Sequence, residues 1–350
     1  MQPSRHSLGL SPARLAWLAT PLAADRLLAV GGFAVDGGLL GSPSHVVELH
    51  CSSGGELRRL QRWRQPEDLC ELAAAPLASG ELLLLAASTS GAVTQARVKP
   101  PGDGEADALE FLDDDGSGAL AALCALGGPG EVALDAEAGG NLAAAATSGG
   151  LLALLPLDGG ACSPTRLVAD GDACFAAVRF ATRTTLLTVG GAPGLQVWDS
   201  RAGGTAAQAL AWSPPGASGR AGALDVLPAA PHLVAVGSAD LGAPAVALFD
   251  LRHSAAPLAC GTPAGAGPVT AVRFDTSGEF TARTGSWLLA AAGGCVSAVA
   301  RGGQSRELLR CEAAVRHCAL EGNAALLAAA TEGDALLVLD GLRGRSDDGL

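Results

Sequence analysis

The densest chemistry in this chain is Asp113-Asp114-Asp115-Gly116-Ser117-Gly118, whose carboxylates could surround a divalent cation. A calcium loop of the EF-hand type closes on a bidentate Glu at its twelfth position, and counting from Asp113 that position is Cys124. The run therefore reads as part of an acidic surface loop. The six histidines show no paired metal spacing. His317 and Cys318 are adjacent, with Cys311 nearby, but neighbours on a strand point to opposite faces and do not converge on one ion. Gly127-Gly128-Pro129-Gly130 lacks the Gly-Lys-Ser/Thr of a phosphate loop, and no Gly-x-Ser-x-Gly elbow presents a serine nucleophile. The expectation is a chain without catalytic residues, resident metal or cofactor.

Two short motifs remain, Trp198-Asp199-Ser200-Arg201 and Phe249-Asp250-Leu251-Arg252. In their structural reading, Trp198 and Phe249 pack between sheets while Asp199 and Asp250 stabilise the turns that follow. In their binding reading, Arg201 and Arg252 emerge on one face of neighbouring repeats and meet an acidic partner. These two arginines are the candidate partner-binding residues.

The elements that would position them repeat. An apolar run ends in small residues at 27–32, 82–88, 142–148, 186–191, 233–238, 288–293 and 326–331. Most copies follow a run of alternating character, such as Val269-Thr270-Ala271-Val272-Arg273-Phe274. Seven copies at spacings of about 40–60 residues predict four-stranded antiparallel sheets, the blades of an all-β, seven-bladed β-propeller. Small residues would let neighbouring sheets close up. Alanine-leucine runs at 118–126 and 313–320 could be helical by propensity, but each is short. With 48 glycines and 20 prolines the chain is punctuated too often for a helical bundle.

Residues 1–13 form an N-terminal segment in which 7–10 is expected to supply the missing fourth strand of the last blade. The propeller is expected over 14–341 and a polar tail over 342–350. Two insertions interrupt the rhythm. Residues 36–44 lie inside the first blade, and 99–118, placed between the second and third blades, carry seven acidic residues from Asp103 to Asp115. Both are expected to be solvated loops.

Composition narrows the function. With 23 basic against 35 acidic residues the formal charge is −12, and no continuous Lys/Arg run offers a basic face, which argues against direct nucleic-acid binding. Lys99 is the only lysine. Nine cysteines without Cys-x-x-Cys pairs suit a reducing compartment, with Cys70, Cys124, Cys174 and Cys318 packing as small hydrophobes. No apolar stretch is long enough to insert in a bilayer, and residues 1–11 lack the apolar centre of a signal peptide.

The Trp198-Asp199 and Phe249-Asp250 segments resemble the WD40-repeat family, in degenerate form. Within it the chain is similar to the nucleoporin forty-three family. The likeness is carried by Arg14-Leu15-Ala16-Trp17-Leu18, by Leu85-Ala86-Ala87-Ser88, and most specifically by Thr185-Leu186-Leu187-Thr188-Val189 through Gln196-Val197-Trp198-Asp199-Ser200-Arg201. His232-Leu233-Val234-Ala235-Val236-Gly237 leading to Phe249-Asp250-Leu251-Arg252 supports it. Blade six departs from that pattern at Gly293-Gly294-Cys295-Val296. The resemblance implies a non-enzymatic scaffold in the Y-shaped outer-ring complex of the nuclear pore, at the nuclear envelope. Its implied role is to support protein and mRNA transport. The implied partners are other nucleoporins, in particular an α-solenoid nucleoporin of the eighty-five-kilodalton class. Tandem aromatic-Asp-x-Arg motifs also resemble those of WD40 substrate receptors for cullin-four ubiquitin ligases. A third expectation from the propeller fold is an enzyme such as a sugar-lactone hydrolase.

Overall fold

The computed structural model describes the chain outside residues 1–3, 7, 9, 19–25, 36–42, 54–55, 66, 78, 99–119, 128–129, 138–140, 158–161, 170–173, 192–193, 203–207, 212–219, 241–244, 254–255, 276–285, 301, 322–325, 333–334 and 340–350. The described residues contain strands and no helix. They form seven four-stranded antiparallel sheets, the blades of a seven-bladed β-propeller.

The strands, in chain order, begin with β1 (Ser4–His6). The first sheet holds β2 (Leu10–Leu18), β3 (Arg26–Val35), β4 (Pro43–Ser53) and β5 (Glu56–Gln65). The second holds β6 (Leu69–Pro76), β7 (Leu82–Ser88), β8 (Ala92–Val98) and β9 (Ala121–Ala125). The third holds β10 (Val132–Ala136), β11 (Leu142–Thr147), β12 (Leu151–Pro156) and β13 (Thr165–Ala169). The fourth holds β14 (Phe175–Thr182), β15 (Thr185–Gly190), β16 (Gly194–Asp199) and β17 (Gln208–Ala211). The fifth holds β18 (Ala221–Val226), β19 (Leu233–Ser238), β20 (Val246–Asp250) and β21 (Ala259–Gly261). The sixth holds β22 (Val269–Phe274), β23 (Ser286–Ala292), β24 (Cys295–Ala300) and β25 (Ser305–Arg310). The seventh holds β26 (Val315–Leu320), β27 (Leu327–Thr331) and β28 (Leu336–Leu339), with β1 in fourth place.

The sheets divide into two compact units. Residues 9–211 carry the first four, and residues 1–8 with 212–350 carry the other three. All seven apolar runs that end in small residues are second strands. The alanine-leucine runs became β9 and β26, because pairing with β8 and β27 satisfies their backbones where an isolated short helix could not.

Two placements differ from expectation. The fourth strand of the seventh sheet is Ser4–His6 rather than residues 7–10. It pairs Ser4 with Val338 and His6 with Leu336, and the Ser4 hydroxyl donates to the Val338 carbonyl at 3.0 Å. Leu10 instead opens β2, where its apolar side chain is buried opposite Ala34. The acidic insertion falls inside the second sheet, between β8 and β9, since Ala121–Ala125 pairs back onto β8. Its carboxylates at 103–115 lie outside the described residues, as do 36–42 and the tail at 342–350.

The core sits between successive sheets within each unit. Leu27, Leu49 and Trp63 meet Leu82 and Leu84, and Leu83 and Leu85 meet Leu134 and Leu155. Leu152 meets Val178, Leu186 and Trp198. In the other unit Val246 and Leu248 meet Val272 and Leu288, and Leu289 and Val296 meet Val315 and Leu327. Glycine is needed where sheets approach most closely: a Cβ on Gly237 would stand 2.5 Å from Cγ1 of Val269 in the next sheet. At Gly31 a Cβ would meet the flexible end of the Leu69 side chain in the next sheet.

Carboxylates latch neighbouring sheets. Asp135 on β10 accepts the Phe180 amide of β14 at 2.7 Å, and Arg179 lies 3.5 Å from the same carboxylate. Asp225 on β18 accepts the Phe274 amide of β22 at 2.8 Å, next to Arg273. Among the described residues the device is present in both units.

Candidate docking surfaces

The two Asp-x-Arg turns have one geometry. β16 ends at Asp199, whose Oδ1 accepts from the Arg201 amide and from Arg201 Nε, both at 3.0 Å, while Oδ2 accepts from Nη2 at 2.8 Å. β20 ends at Asp250, which holds Arg252 through the same three bonds at 3.0, 3.0 and 2.7 Å. A carboxylate engaged by a guanidinium fork and a backbone amide is favoured in its charged form. The Arg201 hydrogen bonds accordingly bring the Asp199 carboxyl down to about 2, and those of Arg252 hold Asp250 lower still. The arginines are mostly exposed, at 73% and 60%, whereas Asp250 is 6% exposed and Asp199 33%. Nη1 of each guanidinium has no hydrogen-bond partner among the described residues. The fork thus closes its own turn and presents a single edge outward.

The aromatic residues before each Asp are structural. Trp198 Nε1 donates to the Thr188 hydroxyl at 2.8 Å, and its ring meets Phe175 edge-on at 6.1 Å. Phe249 is buried at 1% exposure. Arg201 lies in one compact unit and Arg252 in the other.

Chemistry at the remaining candidates is quiet. Cys318 packs in the core between the sixth and seventh sheets, while His317 takes the Arg273 guanidinium at 3.4 Å from the opposite face. All nine cysteines are free thiols. Burial pushes Cys124 up to about 12 and Cys318 up to about 11, so neither supplies a thiolate at neutral pH. Cys174, expected inside an apolar strand, is exposed just ahead of β14.

Sequence reasoning missed a basic strand. No continuous run of arginines exists, but β5 brings Arg58, Arg59, Arg62 and Arg64 onto one sheet edge. Leu60, Gln61 and Trp63 separate them in sequence, and a bulge opposite Leu49 and His50 sets their facing. The register puts Arg59 opposite His50, Arg62 opposite Glu48 and Arg64 opposite Val46. Glu48, 1% exposed, sits 3.2 Å from Arg59 Nη1, 3.6 Å from Arg62 Nε and 3.0 Å from His50 Nε2. In the sequence Val47-Glu48-Leu49-His50 alternates apolar and polar, which disguises Glu48 and His50 as a solvated face. On the other face of β5 a cleft of about 330 Å³ is lined by Gln61, Trp63, Gln95, Ala96, Arg97 and Ala121. No protein-family model matches the chain, and the comparison with curated proteins found no match.

Proposed function

We propose that the chain is a non-enzymatic scaffold subunit of the nuclear pore outer ring, supporting nucleocytoplasmic transport through protein–protein contacts. The observation that carries the reading is the likeness of residues 183–275 to the nucleoporin forty-three family. Those residues fall on β15 to β22, where WD40-like packing of Trp198 and two matching Asp-x-Arg turns support it. Rigid sheets carrying loops at their ends suit a docking role.

The alternative reading, a substrate receptor of a cullin-four ubiquitin ligase, draws on the outward edges of Arg201 and Arg252. Affinity purification of the tagged full chain at moderate salt separates the two. Recovery of an α-solenoid nucleoporin of the eighty-five-kilodalton class, with fluorescence at the nuclear rim, is the expected result. Recovery of the ligase adaptor instead, abolished by Arg201→Ala with Arg252→Ala, would replace the pore reading with the ligase one.

A further inference from the structure

The outer edges of the seven sheets are not alike. Among the described residues six of the fourth strands are short, with three residues in β1 and β21, four in β17, five in β9 and β13, and six in β25. β5 has 10. A short edge leaves little backbone for another chain to pair with, and natural sheets keep their edges short for that reason. β5 is the exception, and it pairs only with β4 among the described strands.

Its side chains select what could pair there. Arg59, Arg62 and Arg64 occupy one face, and Arg58 and Trp63, opposite Cys51 and Val47, the other. Glu48 engages Arg59 and Arg62, whereas Arg64 stands exposed and makes no ion pair among the described residues. Two copies of this edge would set arginine against arginine, so self-pairing is disfavoured. An acidic segment meets attraction here and repulsion from a chain whose net charge is −12.

We propose that β5 receives an acidic peptide of a partner protein as an added fifth strand, in which Asp or Glu alternates with apolar residues. Main-chain pairing along the ten-residue edge supplies the affinity. Alternation supplies the specificity: acidic side chains fall on the Arg59, Arg62 and Arg64 face, and apolar ones on the Trp63 face, where the cleft offers Ala96 and Ala121 beside Gln61, Gln95 and Arg97. The surface is independent of which assembly holds the chain.

The test titrates the full chain into a fluorescein-labelled peptide of alternating Glu and Val, followed by anisotropy. A second peptide replaces alternate Val with Pro, keeping the charge while removing backbone donors. Arg64→Glu is the protein variant, chosen because Arg59 and Arg62 also hold buried Glu48 while Arg58 lies on the other face. Saturable binding is expected, weakened about tenfold or more by the variant and by the proline peptide alike. Absence of saturable binding, equal binding of the proline peptide, or indifference to the variant would each overturn the proposal. Self-association of the unmodified chain that the variant abolishes would assign the edge to a second copy and overturn it equally.

Discussion

Asp250 and Asp199 close the same turn at different depths, and depth decides what their loss does. Asp250 is nearly enclosed, so Asp250→Ala strands the Arg252 amide and lowers the melting temperature by more than Asp199→Ala, as differential scanning fluorimetry would read. Acid acts on the same groups. The Asp199 carboxyl is lowered in the folded chain to about 2, against about 3.9 when unfolded. Its stabilising contribution is therefore complete above about pH 4 and is lost as the pH falls toward 2, with Asp250 persisting further into acid. Melting temperatures measured from pH 7 to pH 3 should fall on the acid side, and Arg201→Ala with Arg252→Ala should flatten that fall. The two turns were legible because donor and acceptor are two residues apart. Asp135 and Phe180 are 45 apart, and nothing in either segment announces the partner. Glu48 was hidden for a different reason, since its burial comes from tertiary cover that periodicity does not report.

Among elements, the second strands were the most legible, because a run such as Leu82–Ser88 is buried on both faces and has no polar alternation to blur it. The packing reason expected for their small ends holds at Gly237, which faces the next sheet. Gly190 answers instead to its own sheet, where a Cβ would collide with the Cys174 carbonyl. Gly237→Val should destabilise the chain by about 1–3 kcal/mol through overpacking against Val269. Chemical denaturation would measure it, with Gly302→Ala, whose Cβ meets nothing within 4 Å, as the control. Fourth strands were the least legible. Ala121–Ala125 follows a long insertion and carries little pattern, so the insertion was set between sheets rather than within one. β5 showed neither its length nor its arginine edge, because a bulge rather than simple alternation sets the facing of Arg58 and Arg59.

At the scale of the whole molecule, the seventh sheet is completed by residues from opposite ends of the described chain. Removing residues 1–6 deletes β1 without touching β2, and exposes the edge of β28. That truncation should lower the melting temperature and open the Leu336–Leu339 region to hydrogen exchange; unchanged exchange there would show that β28 holds without its neighbour. The expectation that residues 7–10 form this strand erred by a few positions, since a three-residue strand of Ser, Arg and His has no apolar signature to mark it. The same pairing constrains synthesis. At about 5–20 residues per second, β1 leaves the ribosome roughly 20 seconds to a minute before β28 exists to receive it. For that interval the nascent chain holds an unmatched ribbon, and whatever sequesters those few amides meanwhile competes directly with the last step of maturation.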